Sequence, residues 1–146
     1  MTIFIGADHR GFDLKNKLIE YLQEKNIRVE DLGAYELQPL DDNPDYAQKV
    51  AQAVLQNPKE FLGIVICGSG GGVTIAANRH KGIYCGLGFD DDQVKNMREH
   101  DHINILALPA DYIDLEKAKR FADVFLSAQP SGEEKYIRRL KKTDSV

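Results

Sequence analysis

The fold of this chain is decided by the segment Leu62–Arg79, LGIVICGSGGGVTIAANR. It begins with the apolar, β-branched run Leu62–Ile66, which is typical of a strand buried on both faces. A glycine-rich loop follows directly, and Val73–Asn78 then has the composition of the first turns of a helix. Strand, loop and helix in this order surround a small volume with backbone N–H groups and a helix N-terminus. Such a volume favours an anion or a developing negative charge.

Cys67 stands at the end of this strand, facing the same volume. Helix N-termini stabilise thiolates, so Cys67 is a candidate nucleophile or general base. The amides of the glycine loop are candidate donors to an oxyanion, with the hydroxyl of Ser69 as a further contact; they belong to Gly68, Gly70, Gly71 and Gly72. In the alternative interpretation the glycines only permit a tight turn, and the cysteine is a small buried hydrophobe.

The composition restricts the class of protein. The chain has 146 residues, 42% hydrophobic and 29% charged, which fits one domain over residues 1–146. A net charge of −4 without a basic stripe argues against nucleic acid as a partner. No apolar run approaches the roughly 20 residues of a membrane helix, and the N-terminus does not resemble a signal peptide. The two cysteines form no CxxC motif, which predicts reduced thiols and a cytoplasmic protein.

Predicted strands and helices alternate five times along the chain. The predicted strands are Thr2–Gly6, Ile27–Leu32, the Leu62–Ile66 run, Gly82–Gly86 and Ile103–Leu108; the predicted helices are Phe12–Glu24, Asp45–Gln56, the one from Val73, Asp90–Glu99 and Leu115–Leu126. This alternation predicts a mostly parallel, doubly wound sheet with helices on both faces.

A last helix is predicted at about residues 131–142. Ser131, with Glu134 three residues later, is expected to form a capping box ahead of the span Glu133–Lys142. This helix is strongly charged, so we expect it to pack along an edge or against a partner subunit.

Ligands of doubly wound sheets bind beyond the carboxyl ends of the strands. This rule brings together Asp8 and His9 after the first strand, the Cys67–Gly72 segment after the third, and Phe89–Asp92 after the fourth. His100, in contrast, precedes the fifth strand, so it should lie at the opposite end of the sheet from Cys67. If both act in one reaction, a second subunit must supply His100. The topology therefore predicts at least a dimer.

Each of these polar residues also has a purely structural interpretation. Asp8 precedes a helix and is a candidate N-cap. His9 is a candidate solvated surface residue, and so is His100 among its charged neighbours. No set of His, Cys and carboxylate residues has metal-ligand spacing, so no metal is expected.

Four motifs resemble the type B ribose-5-phosphate isomerases, which form one family with the galactose-6-phosphate isomerase subunits. The motifs are GADHRGF at Gly6–Phe12, NPDYA at Asn43–Ala47, GIVICGSGGGVTIAANR at Gly63–Arg79 and REHDHINILAL at Arg98–Leu108. The resemblance implies a three-layer α/β/α sandwich, Rossmann-like or flavodoxin-like, with a five-stranded sheet. It also implies a homodimer or homotetramer with active sites between subunits, and neither cofactor nor metal.

The resemblance further implies a role for each matching residue. Cys67 resembles the base that moves a proton between C1 and C2 of an open-chain sugar phosphate through a cis-enediolate. The loop amides would hold the enediolate oxygen with Ser69, and Asp8 would shuttle protons on the sugar hydroxyls. His100 of the partner resembles the acid–base that opens the furanose ring. The remaining implied substrate contacts are His9 for the phosphate, Tyr46 lining the site, and Asp101, Lys135 and Arg139.

The chain also departs from the family pattern. Asp101 stands where the family usually has Asn, Asn43 where an aromatic is common, and Tyr136 where a His is usual. Asp111 replaces an arginine that binds phosphate. Because an acid repels a phosphate dianion, three readings stay open: the substrate sits differently, a cation such as Arg10 compensates, or the substrate is not ribose 5-phosphate.

Three functional hypotheses follow. The first is an aldose–ketose isomerase of ribose 5-phosphate, or of a 6-phosphohexose such as galactose or allose 6-phosphate, or of another sugar. The second is a non-catalytic or nucleotide-binding α/β module that uses the glycine loop for phosphate. The third is a structural subunit of a hetero-oligomer.

Overall fold

Five strands form one parallel sheet at the centre of the protein. The computed structural model describes all residues, 1–146. The strands are β1 (Thr2–Ala7), β2 (Arg28–Asp31), β3 (Phe61–Cys67), β4 (Cys85–Leu87) and β5 (Ile105–Pro109), in the sheet order β2-β1-β3-β5-β4. All four neighbouring pairs are parallel. The predicted doubly wound sheet is therefore confirmed.

Six helices connect and cover the strands. They are α1 (Phe12–Glu24), α2 (Asn43–Gln56), α3 (Gly71–Ala77), α4 (Asp91–His100), α5 (Leu115–Ser127) and α6 (Glu134–Asp144). None of these helices combines the length and the apolar character that a bilayer crossing requires.

The sheet separates two apolar cores, which makes the fold a three-layer α/β/α sandwich. Alternate residues of β3 point to opposite faces: Ile64 and Ile66 join the core beneath α1, α4 and α5, whereas Val65 and Cys67 join the core beneath α2 and α3. The continuous apolar run of β3 is explained by this burial on both faces.

The ends of several elements differ from the prediction. β4 begins at Cys85 rather than Gly82, because Gly82 has a φ of +89° and belongs to a turn. The capping box at Ser131 is wrong. Glu133 is the N-cap of α6, while the Ser131 hydroxyl accepts from the Glu133 amide and the Ser131 amide donates to the carbonyl of Glu99. Ser131 thus ties the segment before α6 to α4.

The strand register fixes where the polar residues lie. Cys67 is paired with Pro109 at the carboxyl end of β5, whereas Cys85 is paired with Ile105 at its start. The turn that follows His100 leads into the start of β5. Cys67 and His100 therefore occupy opposite ends of the sheet within one chain, as the topology argument predicts.

Candidate active site

The glycine loop presents free backbone donors at the carboxyl end of β3. Gly70 has a φ of +76°, in the left-handed region that favours glycine, and it is the N-cap of α3. The amides of Gly68, Gly70 and Gly72 donate no hydrogen bond within the chain. The Gly71 amide donates to the hydroxyl of Ser69 at 3.2 Å. The loop therefore has amides available for an oxyanion, as Ser69 holds only one of them.

Cys67 opens onto a cleft of about 230 Å³ beside this loop. Its side chain belongs to the core beneath α2 and α3, and the residue is only 4% exposed. The cleft brings together several of the residues predicted from strand ends. Its lining residues are Asp8, Arg10, Asn43, Cys67, Gly68, Ser69, Gly72, Asp111 and Tyr112.

Asp8 is a buried carboxylate in this cleft. It is 5% exposed, and its Oδ1 accepts hydrogen bonds from the backbone amides of Arg10 at 3.0 Å and Gly11 at 3.2 Å. The helix α1 starts after Gly11 without a side-chain cap, so Asp8 braces the preceding turn rather than capping the helix. Burial raises the pKa of Asp8, and the two backbone hydrogen bonds oppose this effect without cancelling it. A raised pKa suits a group that must take up and release protons.

An ion pair lies over the glycine loop. Arg10 pairs with Asp111, and a Cβ added to Gly68 would meet both side chains at 2.7 Å. Only glycine allows this close approach to the loop. Arg10 is the only lysine or arginine of the cleft lining. Asp111 and Arg10 therefore offset each other's charge within the cleft, and the three readings of the Asp111 substitution stay open.

Asn43 adds an unpaired acceptor to the cleft. Its Oδ1 is buried and has no hydrogen-bond partner, and a Cβ on Gly72 would lie 2.6 Å from it. Buried polar atoms are nearly always paired. This atom is therefore suited to accept a hydrogen bond from a hydroxyl group of a ligand.

Three further polar residues, His9, Asp41 and Tyr46, form a hydrogen-bonded group next to Asp8. The carboxylate of Asp41 accepts from the backbone amide of His9 at 2.9 Å and lies 2.8 Å from its Nδ1. The hydroxyl of Tyr46 donates to the other oxygen of Asp41 at 2.9 Å. His9 and Tyr46 are thus brought together, and their roles as substrate contacts stay a prediction. Asp41 is missed by the sequence analysis, since nothing in the LDDN segment distinguishes one aspartate from the next.

The pKa values of this group follow from its hydrogen bonds. Burial acts to raise the pKa of Asp41, but the hydrogen bonds from His9 and Tyr46 outweigh it, so that the pKa is lowered. Burial and the bond to Asp41 raise the pKa of Tyr46 to about 12. Tyr46 therefore remains a hydroxyl donor and Asp41 an anion.

The same region contains the one set of three side chains that meets a geometric criterion for a metal site. The ligand atoms of Asp8, His9 and Asp41 all lie within 4.8 Å of one another. The His9 ring and Asp41 already bind each other, and Asp8 accepts two backbone amides. The internal hydrogen bonds account for the cluster, and the expectation of no metal stays a prediction.

His100 belongs to a different cavity. It stacks on the ring of Tyr136 of α6, with centroids 4.2 Å apart and planes at 8°. Together with Asp101 and Arg139 it lines a cavity of about 260 Å³ at the amino end of β4 and β5. Lys135 lies near the ring of Tyr136, and its Nζ pairs with the carboxylate of Glu133 at 3.5 Å. One chain therefore does not bring these residues to Cys67.

Comparison with known proteins gives consistent matches over nearly the whole chain. Residues 3–143 match the family model described as Ribose/Galactose Isomerase. The chain is 44% identical over 130 residues to a probable ribose-5-phosphate isomerase B of Mycoplasma pneumoniae, covering 89% of this chain and 85% of the relative. It is 37% identical over 130 residues to ribose-5-phosphate isomerase B of Escherichia coli, covering 89% and 86%.

Solved structures match as closely. A ribose 5-phosphate isomerase of Thermotoga maritima superposes with a TM-score of 0.94 at 43% identity, covering 99% of this chain and 98% of the other. Ribose-5-phosphate isomerase B of Mycoplasma genitalium, solved with bound ribulose-5-phosphate, gives a TM-score of 0.94 at 37% identity, covering 99% and 94%.

Proposed function

The chain belongs to the ribose/galactose isomerase family, and we propose that it interconverts ribose 5-phosphate and ribulose 5-phosphate. The relatives named for this activity and the neighbour that binds ribulose-5-phosphate support this substrate. The observation that carries the proposal is the cleft itself, in which a cysteine side chain, free loop amides and a carboxyl of raised pKa lie together.

In the proposed reaction Cys67 is the base. Its thiolate removes the proton from C2 of the open-chain aldose, and the electron pair moves towards the C1 carbonyl to give a cis-enediolate. The thiol then returns the proton to C1, which yields the ketose. The amides of Gly68, Gly70 and Gly72 stabilise the enediolate oxygen as its charge develops.

Asp8 moves the accompanying protons in this proposal. Isomerisation requires O1 to gain a proton and O2 to lose one. A carboxyl whose pKa is raised by burial exchanges protons more readily near neutrality. Ser69, which is exposed beside the loop, is a further hydrogen-bonding group for the substrate oxygens.

A second subunit would complete the site. We propose that His100 of a partner opens the furanose ring, assisted by Asp101, and that Lys135 and Arg139 of the same partner bind the phosphate with His9. Tyr46 would line the site. The exposed, basic α6 supports this arrangement, because its cations lie at the end of the sheet away from Cys67 in their own chain. The enzyme would be a homodimer or homotetramer in the cytoplasm, where both free cysteines stay reduced.

A different sugar phosphate is the second candidate. The family description includes galactose as well as ribose. The Arg10–Asp111 pair is the departure from the family pattern in the cleft that makes this alternative worth testing. A galactose- or allose-6-phosphate-like substrate would use the same chemistry at C1 and C2.

A substrate panel tests the proposal. Purified protein would be assayed for ketose formation from ribose 5-phosphate, galactose 6-phosphate, allose 6-phosphate and free ribose. We expect the highest kcat/KM with ribose 5-phosphate. A higher value with a hexose phosphate would transfer the assignment to that sugar, and no turnover with any of them, together with tight ATP binding in calorimetry, would favour a nucleotide-binding module.

A further inference from the structure

One carboxylate, that of Asp41, joins three segments next to the cleft. Asp41 lies in the loop between β2 and α2, His9 lies in the loop between β1 and α1, and Tyr46 lies in the first turn of α2. The Asp41 side chain is only 9% exposed. Its two oxygens receive three hydrogen bonds, two from His9 and one from Tyr46.

The geometry determines which edge of the His9 ring is free. Asp41 Oδ1 binds both the backbone amide and Nδ1 of His9, which fixes the ring relative to its own main chain. An ionised carboxylate only accepts hydrogen bonds, so Nδ1 carries a proton. Nε2 has no partner within the chain and is left for a ligand, and the side chain is 30% exposed.

The protonated form of the His9 ring, held by Asp41, is suited to donate to a ligand of negative charge. The neighbours Asp8 and Arg10 both line the cleft, which places His9 at its border. When Nδ1 and Nε2 both carry protons, the ring is a cation whose charge Asp41 balances from behind, and its Nε2–H donates forward.

We propose that Asp41 is a positioning residue that orients His9, so that Nε2 of His9 binds the phosphate of the substrate. The inference rests on the proposed function for the identity of the anion. It adds a residue that does not touch the substrate and acts through His9. Tyr46 has a supporting part, because its hydroxyl occupies the second oxygen of Asp41 and prevents the carboxylate from turning away.

The test measures anion binding separately from turnover. The variants are Asp41→Asn, which keeps the shape and removes the charge, and Asp41→Glu, which restores it. Asp42→Asn is the matched control, because Asp42 is exposed and makes no side-chain hydrogen bond at the N-terminus of α2. The dissociation constant of inorganic phosphate would be measured by calorimetry, and KM and kcat with ribose 5-phosphate.

We expect Asp41→Asn to weaken phosphate binding and to raise KM by about tenfold each, the effect of losing one charge-assisted hydrogen bond. The kcat should change by less than about twofold, because the reacting carbons are not contacted. Asp41→Glu should recover a good part of the affinity, and Asp42→Asn should behave as the wild type.

A double-mutant cycle separates positioning from simple loop stabilisation. In a His9→Gln background, Asp41→Asn should cause almost no further loss of phosphate affinity, since the two act as a unit. Additive losses, or equal phosphate affinity of Asp41→Asn and the wild type, would overturn the proposal, as would a wild type that does not bind phosphate. If phosphate binding follows the expected pattern but ribose 5-phosphate is not converted, the proposed function fails and the positioning role stands.

Discussion

Two carboxylates beside His9 have pKa values shifted in opposite directions. Burial raises the pKa of Asp8, because its two backbone hydrogen bonds do not fully compensate for lost hydration. Asp41 is also desolvated, but the bonds from His9 and Tyr46 lower its pKa. One residue is therefore suited to exchanging protons and the other to remaining charged. Such divergence of neighbouring acids is common at catalytic sites.

The raised pKa of Asp8 gives a pH-dependent prediction of stability. A carboxyl with a raised pKa in the folded state favours folding at low pH, and this contribution is lost as pH rises from the ordinary value of 3.8 through the raised one. Asp8→Asn keeps the acceptor for Arg10 and Gly11 but removes the buried charge. We expect its Tm to exceed that of the wild type by about 2–4 °C at pH 7, with kcat strongly reduced.

Thermal unfolding at two pH values checks this prediction. The Tm difference should shrink towards zero near pH 3, where Asp8 of the wild type is protonated. A Tm at pH 7 that is lower for Asp8→Asn than for the wild type would show that the carboxylate is a net stabilising group.

Single residues could be predicted from the sequence only where a strand end fixed their position. Cys67 and Asp8 follow buried strands, and the rule for parallel sheets brings them into one cleft. Asp41 and Asn43 lie in or at the end of the loop before α2, whose path no periodicity specifies. Their contacts with His9 and Gly72 depend on that path, so they required the structure.

The glycine loop with α3 is the element on which the proposed chemistry depends. Gly70 holds a left-handed conformation at the N-cap, and the amides of Gly68, Gly70 and Gly72 donate to no group of the chain. A Cβ on Gly70 would also overlap Cδ1 of Leu87. Strain and crowding therefore coincide at this position.

Substitution of Gly70 should damage both stability and activity. In Gly70→Ala, the left-handed conformation alone costs about 1–2 kcal/mol, and relief of the strain would displace the loop amides. We expect a lower Tm and a kcat reduced by at least about tenfold. Gly132→Ala is the control, since a Cβ there meets nothing within 4 Å and its φ lies outside the left-handed range; equal behaviour of the two variants in Tm and kcat would contradict this view of the loop.

Whole elements were easier to predict than their ends. α1 has the predicted bounds, because apolar spacing and the preceding turn agree. β4 is shorter than predicted because Gly82 lies in a turn and the strand begins only at Cys85. This turn cannot be recognised from composition. The capping box is wrong because the backbone amide of Ser131, which Glu134 would have bound, donates instead to the carbonyl of Glu99. Local sequence does not encode this tertiary contact.

At the scale of the whole molecule, the proposed site is divided between the two ends of one sheet. Cys67 lies at the carboxyl end and His100 at the amino end. No motion within the chain could join them without separating paired strands. The sequence predicts this division because parallel strands fix which loops share an end. Subunit number and geometry depend on surfaces, which sequence patterns do not specify.

Mixing inactive variants tests the shared site. Heterodimers of Cys67→Ala and His100→Ala subunits would contain one site with both intact residues and one with neither. Refolding an equal mixture should therefore recover about a quarter of wild-type activity in a symmetric dimer. Each variant refolded alone gives the baseline, and an equal mixture that remains at this baseline would mean that sites are not shared between chains.

The most direct measurement of the central claim is the rate of ribose 5-phosphate isomerisation by Cys67→Ala, with Cys85→Ala as the control. Burial raises the pKa of Cys85 to about 12, so that it stays a thiol within the core. If Cys67 is the base, its loss should lower kcat by about 10²–10⁴-fold, while Cys85→Ala keeps kcat within about threefold of the wild type. Activity of Cys67→Ala close to that of the wild type would contradict the account.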